Sequence, residues 1–274
     1  LSRVDAVFVV KHYKEQFMTF PFFRKALCSA LLAVVVVTPA IAQTTQTDTP
    51  ASDFSFSANM TLASQYRYRG LMQTNNKPAI QGGFDLTHSS GFYIGNWNSS
   101  ISWLGDADDN VSAPVEMDFY AGYTGPLWGD VTFDVGVLHY YYPGNYPGGF
   151  VSPDTTELYL GLGYGPVSFK YSHAVSNLFG WADSKNSQYY DLSASVPTGV
   201  WGLNLDAHVG YQRVRNVKDG NYTDWSLGVS KTWGNFTAAL TYVDTNADKG
   251  VYTSTATGRY QGKAAALLSL TAAF

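Results

Sequence analysis

The last eleven residues of the chain place Ala264, Ala266, Leu268, Leu270, Ala272 and Phe274 at every second position. Neighbouring side chains on an extended strand point to opposite faces, so these six share one face, and that face is wholly apolar. Eleven earlier segments carry the same period of two, near 54–69, 78–89, 92–104, 115–124, 131–142, 156–164, 167–175, 187–196, 202–213, 222–232 and 236–245; with 263–274 they make twelve. No internal sequence repeat stands out beyond this hairpin rhythm.

The connections alternate in length. Ser89-Ser90-Gly91, Gly125 to Asp130, Gly165-Pro166, Pro197 to Trp201 and Trp233-Gly234-Asn235 are short. Between them fall longer stretches rich in Gly, Asn, Asp and Ser, at 70–77, 105–114, 143–155, 176–186, 214–221 and 246–262. Only helices and closed barrels satisfy every backbone polar group in lipid, and bacterial outer-membrane barrels join an even number of strands by short periplasmic turns and longer outer loops. The pattern therefore predicts an all-β, transmembrane, antiparallel up-and-down barrel of twelve strands with both ends on the periplasmic side. Ten or fourteen strands would follow if one weak segment were misread. A closing strand with a terminal aromatic is also the signal read by the barrel-assembly machinery, which makes Phe274 the candidate assembly residue.

The 20 Tyr, 16 Phe and 7 Trp, against only 14% charged residues, fit a barrel with aromatic girdles at both membrane interfaces. A secreted β-sandwich is the competing class, and it would leave Phe274 and the outward aromatics without a role. Near the start, Met18 is the better candidate for initiation than Leu1. Arg24 and Lys25 precede the apolar run Ala26 to Val37, and Ala40-Ile41-Ala42 gives a small-x-small cleavage pattern before Gln43. That run is short of the roughly 20 residues a membrane helix needs, so a retained anchor is the weaker reading. The expected division is upstream overrun at 1–17, signal peptide at 18–42, periplasmic lead-in at 43–53 and barrel at 54–274. Removing residues 1–42 takes away Cys28, five basic and two acidic side chains, and moves the net charge from −4 to −7. Nucleic acid is disfavoured as a partner, because a basic footprint is missing. The expected location is the outer membrane of a Gram-negative bacterium.

Parity then assigns faces. In the first segment Phe54, Phe56, Ala58, Met60, Leu62, Tyr66 and Tyr68 share the lipid parity, while Ser57, Asn59, Thr61, Gln65, Arg67 and Arg69 share the wet one. An Arg facing mid-bilayer lipid would cost about 2–4 kcal/mol, which selects this register. The same test turns Asp85, Glu116, Asp118, Asp134, Glu157, Asp191, Asp206 and Asp224 inward, together with Lys170 and His208. The interior then carries about five net negative charges, which either concentrate cations or pair across the lumen and hold it shut. Trp128, Trp201, Trp233, Phe236, Tyr123 and Tyr164 belong near the short turns. Tyr66, Tyr68, Trp103 and Tyr141 belong near the long loops, as the second girdle.

Ser64-Gln65-Tyr66-Arg67-Tyr68-Arg69-Gly70, then Pro78 to Asp85 (PAIQGGFD), Ser90 to Trp97 (SGFYIGNW) and Ser100-Ile101-Ser102-Trp103 resemble the TorF-type porins of proteobacteria. That family has long been held as conserved proteins of unknown function. The detailed match covers the first three strands, and Glu116 to Asp130 is similar too. The resemblance implies an outer-membrane barrel and a pore, and supplies no substrate.

Enzymatic and metal chemistry have few candidates. A serine hydrolase needs a base within reach of the hydroxyl, and of the later histidines only His208, beside Asp206, shares the lumen with serines. Asp106, Asp108 and Asp109 cluster in a loop that could hold calcium, though acidic surface loops are usually only solvated. No phosphate-cradling glycine loop opens a helix. The expectation is a protein without catalytic residues, metal or cofactor. Its first reading is a passive channel for small solutes or ions, biased to cations, with Arg67 and Arg69 opposite Glu116 and Asp118. Its second is a closed structural barrel, in contact with outer-membrane lipids, whose outer loops bind a partner, the segment 143–154 above all.

Overall fold

The computed structural model describes residues 52–274. The expected signal peptide, with its cleavage pair Ala42 and Gln43, lies outside the described residues. Chain order runs β1 (Phe54–Ala63), β2 (Arg67–Tyr68), β3 (Leu71–Met72), β4 (Ala79–His88), β5 (Phe92–Ser100), α1 (Trp103–Ala107), β6 (Val115–Trp128) and β7 (Val131–Tyr141). It continues with β8 (Thr155–Tyr164), β9 (Val167–Ala174), β10 (Gln188–Pro197), β11 (Leu203–Arg213), β12 (Tyr222–Trp233), β13 (Phe236–Thr245) and β14 (Ala265–Ala273). Twelve of these strands form one closed antiparallel barrel, and β2 and β3 form a separate two-stranded ribbon.

The barrel closes where β1 meets β14, with Met60 opposite Ala272 and Leu62 opposite Leu270. The seam runs to the last residue. The Phe274 N–H donates to the Ala58 carbonyl at 2.8 Å, and the Ala58 N–H donates back at 3.1 Å. No strand edge is left unpaired in the ring, which removes the exposed ladder that an open sheet would offer.

The two faces divide by alternation. Leu268 and Leu270 on β14, and Phe274 just after it, are exposed on the outside, as are Phe54, Phe56, Met60 and Leu62 on β1. Trp128 and Trp201, at short turns, are 83% and 82% exposed, which suits rings standing at a membrane interface. Asn96 and Asn98 interrupt the apolar outer face. Asn96 lies between Phe84 and Phe119 in register and donates to the Asp118 carbonyl, and Asn98 donates to the Gly82 carbonyl and to Asn96.

Inside, tyrosine rings lie against glycines of neighbouring strands. A Cβ at Gly95, Gly122, Gly136 or Gly210 would strike Tyr120, Tyr93, Tyr159 or Tyr189 respectively. These glycines let bulky rings lie close to a wall that curves inward, so the lumen holds aromatic side chains without bursting.

Three segments depart from the sequence reading. The first strand ends at Ala63, not near 69, because the ladder is capped there: the Ser64 N–H donates to the Leu268 carbonyl and the Ser64 hydroxyl accepts from the Leu268 N–H. Residues 103 and 104 belong to α1 instead of extending β5. β6 runs on to Trp128, with an irregular register between Pro126 and Trp128.

The outer loops are tied to one another. Ser254 and Thr255 donate to the carbonyls of Asp106 and Ala107, Arg259 donates to Asn75, Asn216 donates to the Asp183 carbonyl, and Tyr252 donates to the Gly220 carbonyl. They form a connected collar around one mouth of the barrel.

Leu227, midway along β12, is exposed on the outer face, whereas the neighbouring Ser226 lines the lumen. Leu227→Arg is expected to destabilise the barrel in lipid vesicles by about 2–4 kcal/mol. Ser226→Arg should cost clearly less, and urea unfolding followed by tryptophan fluorescence compares the two.

Candidate functional site

The lumen is crossed by its own chain. After β1 the segment Ser64 to Pro78 turns inward, and its β2–β3 ribbon pairs Arg67 with Met72 and Tyr68 with Leu71. The two residues between, Arg69 and Gly70, have φ of 46° and 76°. Positive φ at both central positions is the two-residue hairpin turn that matches strand twist, and it usually takes Asn-Gly or Asp-Gly. An arginine at its first position is strained by its own Cβ and needs tertiary support.

Glu157 on β8 supplies that support. Its two carboxylate oxygens accept from Arg69 Nη1 at 3.0 Å and Nη2 at 2.7 Å, a bidentate pair that is almost fully buried. Arg69 Nη1 also donates to Gln212 Oε1 at 2.8 Å, and the guanidinium lies 4.1 Å from the centre of the Tyr189 ring and 4.9 Å from that of Tyr68. Further anchors are the Tyr66 hydroxyl to Glu116 at 3.1 Å and the Tyr68 hydroxyl to that of Tyr140. At the tip, a Cβ on Gly70 would stand 2.6 Å from the Asp224 Cβ and 3.1 Å from that of Thr245. The hairpin leaves the wall at β1 and reaches β6, β7, β8, β10, β11 and β12. It spans the bore.

Two cavities result, and Tyr68 and Arg69 line both. The inner one, about 450 Å³, is lined by Arg67, Asp118, Asp134, Lys170, Asp191, His208 and Asp224 among others. The outer one, about 310 Å³, lies among the loops of the collar.

The remaining acids are held as follows. Glu116 and Glu157 are buried behind the hairpin. Asp85 accepts from the Tyr120 hydroxyl at 2.6 Å, and Asp134 from that of Tyr93 at 2.5 Å. Asp224 accepts from the Tyr189 hydroxyl at 3.0 Å, and Asp206 from Ser195 at 2.6 Å. Lys170 stands 3.9 Å from the centre of the Tyr159 ring. His208 bridges Asp191 at 3.2 Å and Asp224 at 2.9 Å, so both ring nitrogens face carboxylates. The Ser193 hydroxyl donates to Asp191 at 2.7 Å and lies 3.3 Å from His208. A histidine meeting an acid at each nitrogen is placed to donate twice, not to take a serine proton.

Several expectations are corrected by this geometry. Tyr66 and Tyr68 are buried in the lumen rather than set in the outer girdle, because the chain has left the wall before it reaches them. Arg69 pairs with Glu157, not with Glu116 or Asp118. Arg67 donates to Gln65, the Gln261 carbonyl and Asn76, which ties the hairpin to its own base and to the last loop. Trp103 packs edge-on against Tyr142 on the inner side of the collar. Tyr146 and Phe150 of the 143–154 loop also pack inward, against the buried cluster around Tyr140. Asp106 accepts from Asn75 and Ser102, and Asp108 from Asn110. Among the described residues no group of three or more His, Cys, Asp or Glu side chains is arranged to hold a metal.

The lumenal tyrosines escaped the sequence reading. Tyr120, Tyr159 and Tyr189 each stand two residues from an inward acid (Asp118, Glu157 and Asp191), so they share its face. That spacing could have found them. In the collar, burial pushes the Tyr252 phenol above its ordinary range, in keeping with its role as donor to Gly220.

The chain belongs to the family described as "Bacterial protein of unknown function (Gcw_chp)", whose sequence profile matches residues 47–274. No curated protein matches it. Among solved structures it is similar in fold to the KdgM porin, at TM-score 0.51 and 8% identity over 80% of this chain and 99% of that one. The KdgM porin in complex with disordered oligogalacturonate gives TM-score 0.50 and 9% identity, again over 80% of this chain and 99% of that one. At these identities the likeness is one of fold, a closed antiparallel β-barrel.

Arg69→Met leaves Glu157 buried without its partner, which is expected to cost about 3–5 kcal/mol. The double variant Arg69→Met with Glu157→Leu should recover part of that loss. Hydrogen exchange is the local readout: amides of residues 66–73 should lose protection in the single variant while the barrel strands keep theirs.

Proposed function

We propose that this protein is a porin-like channel of the Gram-negative outer membrane for passive passage of small solutes or ions, with the inner hairpin setting its bore. The observation that carries the reading is the hairpin itself. A closed wall, apolar outside and polar inside, encloses a cavity of about 450 Å³, and Tyr68 and Arg69 separate it from the outer mouth. Twelve strands lie between the filled eight-strand barrels and the open porins of 16–18, a size at which one inward loop decides the bore. The resemblance of the first strands to TorF-type porins supports the same reading.

The channel prefers cations. Eight acidic side chains carry the inward parity against Arg67, Arg69, Lys170 and the doubly donating His208, and a wall with an excess of one sign concentrates the opposite ion. Many of these acids find their donors in tyrosine hydroxyls, so the acidic excess is not answered by an equal set of bases. His208 takes a structural place, between Asp191 and Asp224. The apolar outer band meets outer-membrane lipid, and the strand ending at Phe274 is the one offered to the barrel-assembly machinery.

The second reading, a closed barrel that acts through its outer surface, is favoured by the bidentate hold on Arg69. Planar-bilayer recording under a salt gradient separates the two. Ala63 already pairs with Ala79, so residues 64–78 can be replaced by an Asn-Gly turn without changing the register of β1 and β4. The trimmed barrel is expected to give conductance steps several-fold larger than the full chain, with a cation-selective reversal potential. Asp134→Asn with Asp191→Asn should move that potential towards zero. A trimmed barrel that is folded, as shown by its heat-dependent gel shift, yet electrically silent would refute the channel. Unchanged selectivity in the double variant would refute the cation preference.

A further inference from the structure

We propose that the outer cavity is a binding site for a small, uncharged, largely apolar aromatic compound. All six outer loops contribute to its wall, with Tyr68, Trp103, Phe150, Trp181, Val214 and Tyr252 coming one from each. A cavity of about 310 Å³ is at the small end of the range of about 300–1,000 Å³ typical of ligand pockets. Aromatic faces dominate it, and ring-on-ring packing adds to simple apolar burial.

The polar groups of the wall define the charge and number of contacts a ligand can make. Arg69 is engaged by Glu157 and Gln212. Gln212 donates to the Gln188 carbonyl, and Ser254 and Thr255 donate to the carbonyls of α1. An anion would have to compete with a bidentate carboxylate, and a polyol would find most donors already used. The Trp103 ring lines the cavity through its carbon atoms, whereas its Nε1 is buried in the protein, out of reach of a ligand there. It offers a ligand an aromatic face and no donor. The ties of Ser254, Thr255 and Arg259 to α1 and to the inner hairpin hold the wall in place before binding, which lowers the ordering that a ligand must bring about. The site stands whether or not the lumen conducts.

The test is isothermal titration of the full refolded barrel in lipid nanodiscs with 4-nitrobenzyl alcohol as the neutral probe. Saturable binding at one site per barrel is expected. Trp103→Ala removes an aromatic face of the wall and should weaken binding by about fivefold. Trp181→Ala should also weaken it by about fivefold. Trp128→Ala, at a short turn on the opposite rim, should change nothing. Heat-dependent gel mobility shows that each variant is folded. Absence of saturable binding would overturn the proposal, as would equal affinity for the anion 4-nitrobenzoate or tighter binding of maltose. An equal loss in Trp128→Ala would mean partition into lipid at the interface, and would overturn it too. Binding is read without conductance, so a silent channel and an empty site remain separate results.

Discussion

Everything in this structure depends on completing the backbone ladder around a ring. In lipid no water is present to pair a free strand edge, so the wall holds only if its last strand meets its first. Here the meeting is made by β1 and β14 and reaches the terminal residue, where Phe274 and Ala58 exchange two backbone hydrogen bonds. Once the ring is closed, parity does the rest. Each strand gives one face to lipid and one to the lumen, and no other element is needed to cover an apolar surface.

Closure also creates a problem of volume. Twelve strands enclose more space than side chains from the wall fill, and the chain meets this with an internal hairpin instead of larger wall residues. The hairpin is expensive in local terms, since it places Arg69 at positive φ and removes a guanidinium and two carboxyl groups from bulk water. The expense is met by geometry: the arginine has two oxygens of Glu157, one of Gln212 and the face of Tyr189. The same contacts partition the interior into a polar inner chamber and an aromatic outer one. Tyrosines form the boundary between the two chemistries, because a phenol offers a ring to the wall and a hydroxyl to an acid.

The strand count, the alternation of short and long connections, and the outward face of nearly every strand are legible in the residues themselves. So is the inward parity of the acids, since charge on the lipid face is prohibitive at mid-membrane. The reading failed where period two continued through a segment that had left the sheet. Ser64 to Arg69 keeps the alternation of β1, yet its tyrosines point into the barrel together with its arginines. Nothing within that segment marks the exit, because the cap that ends β1 is provided by Leu268, more than two hundred residues further on.

What the sequence by itself determined is the wall: alternation is a local property, and one residue of slip would turn every charge into lipid. What only the tertiary structure decided is the contents of the wall. Arg69 could have met any inward acid by parity, and it meets Glu157 because the turn at Arg69-Gly70 places it on β8 rather than on β6. The outer cavity is likewise assembled from six loops whose spacing in sequence says nothing of their meeting in space. Such contacts are set by where loops converge over a closed ring, and convergence is a property of the ring, not of any segment.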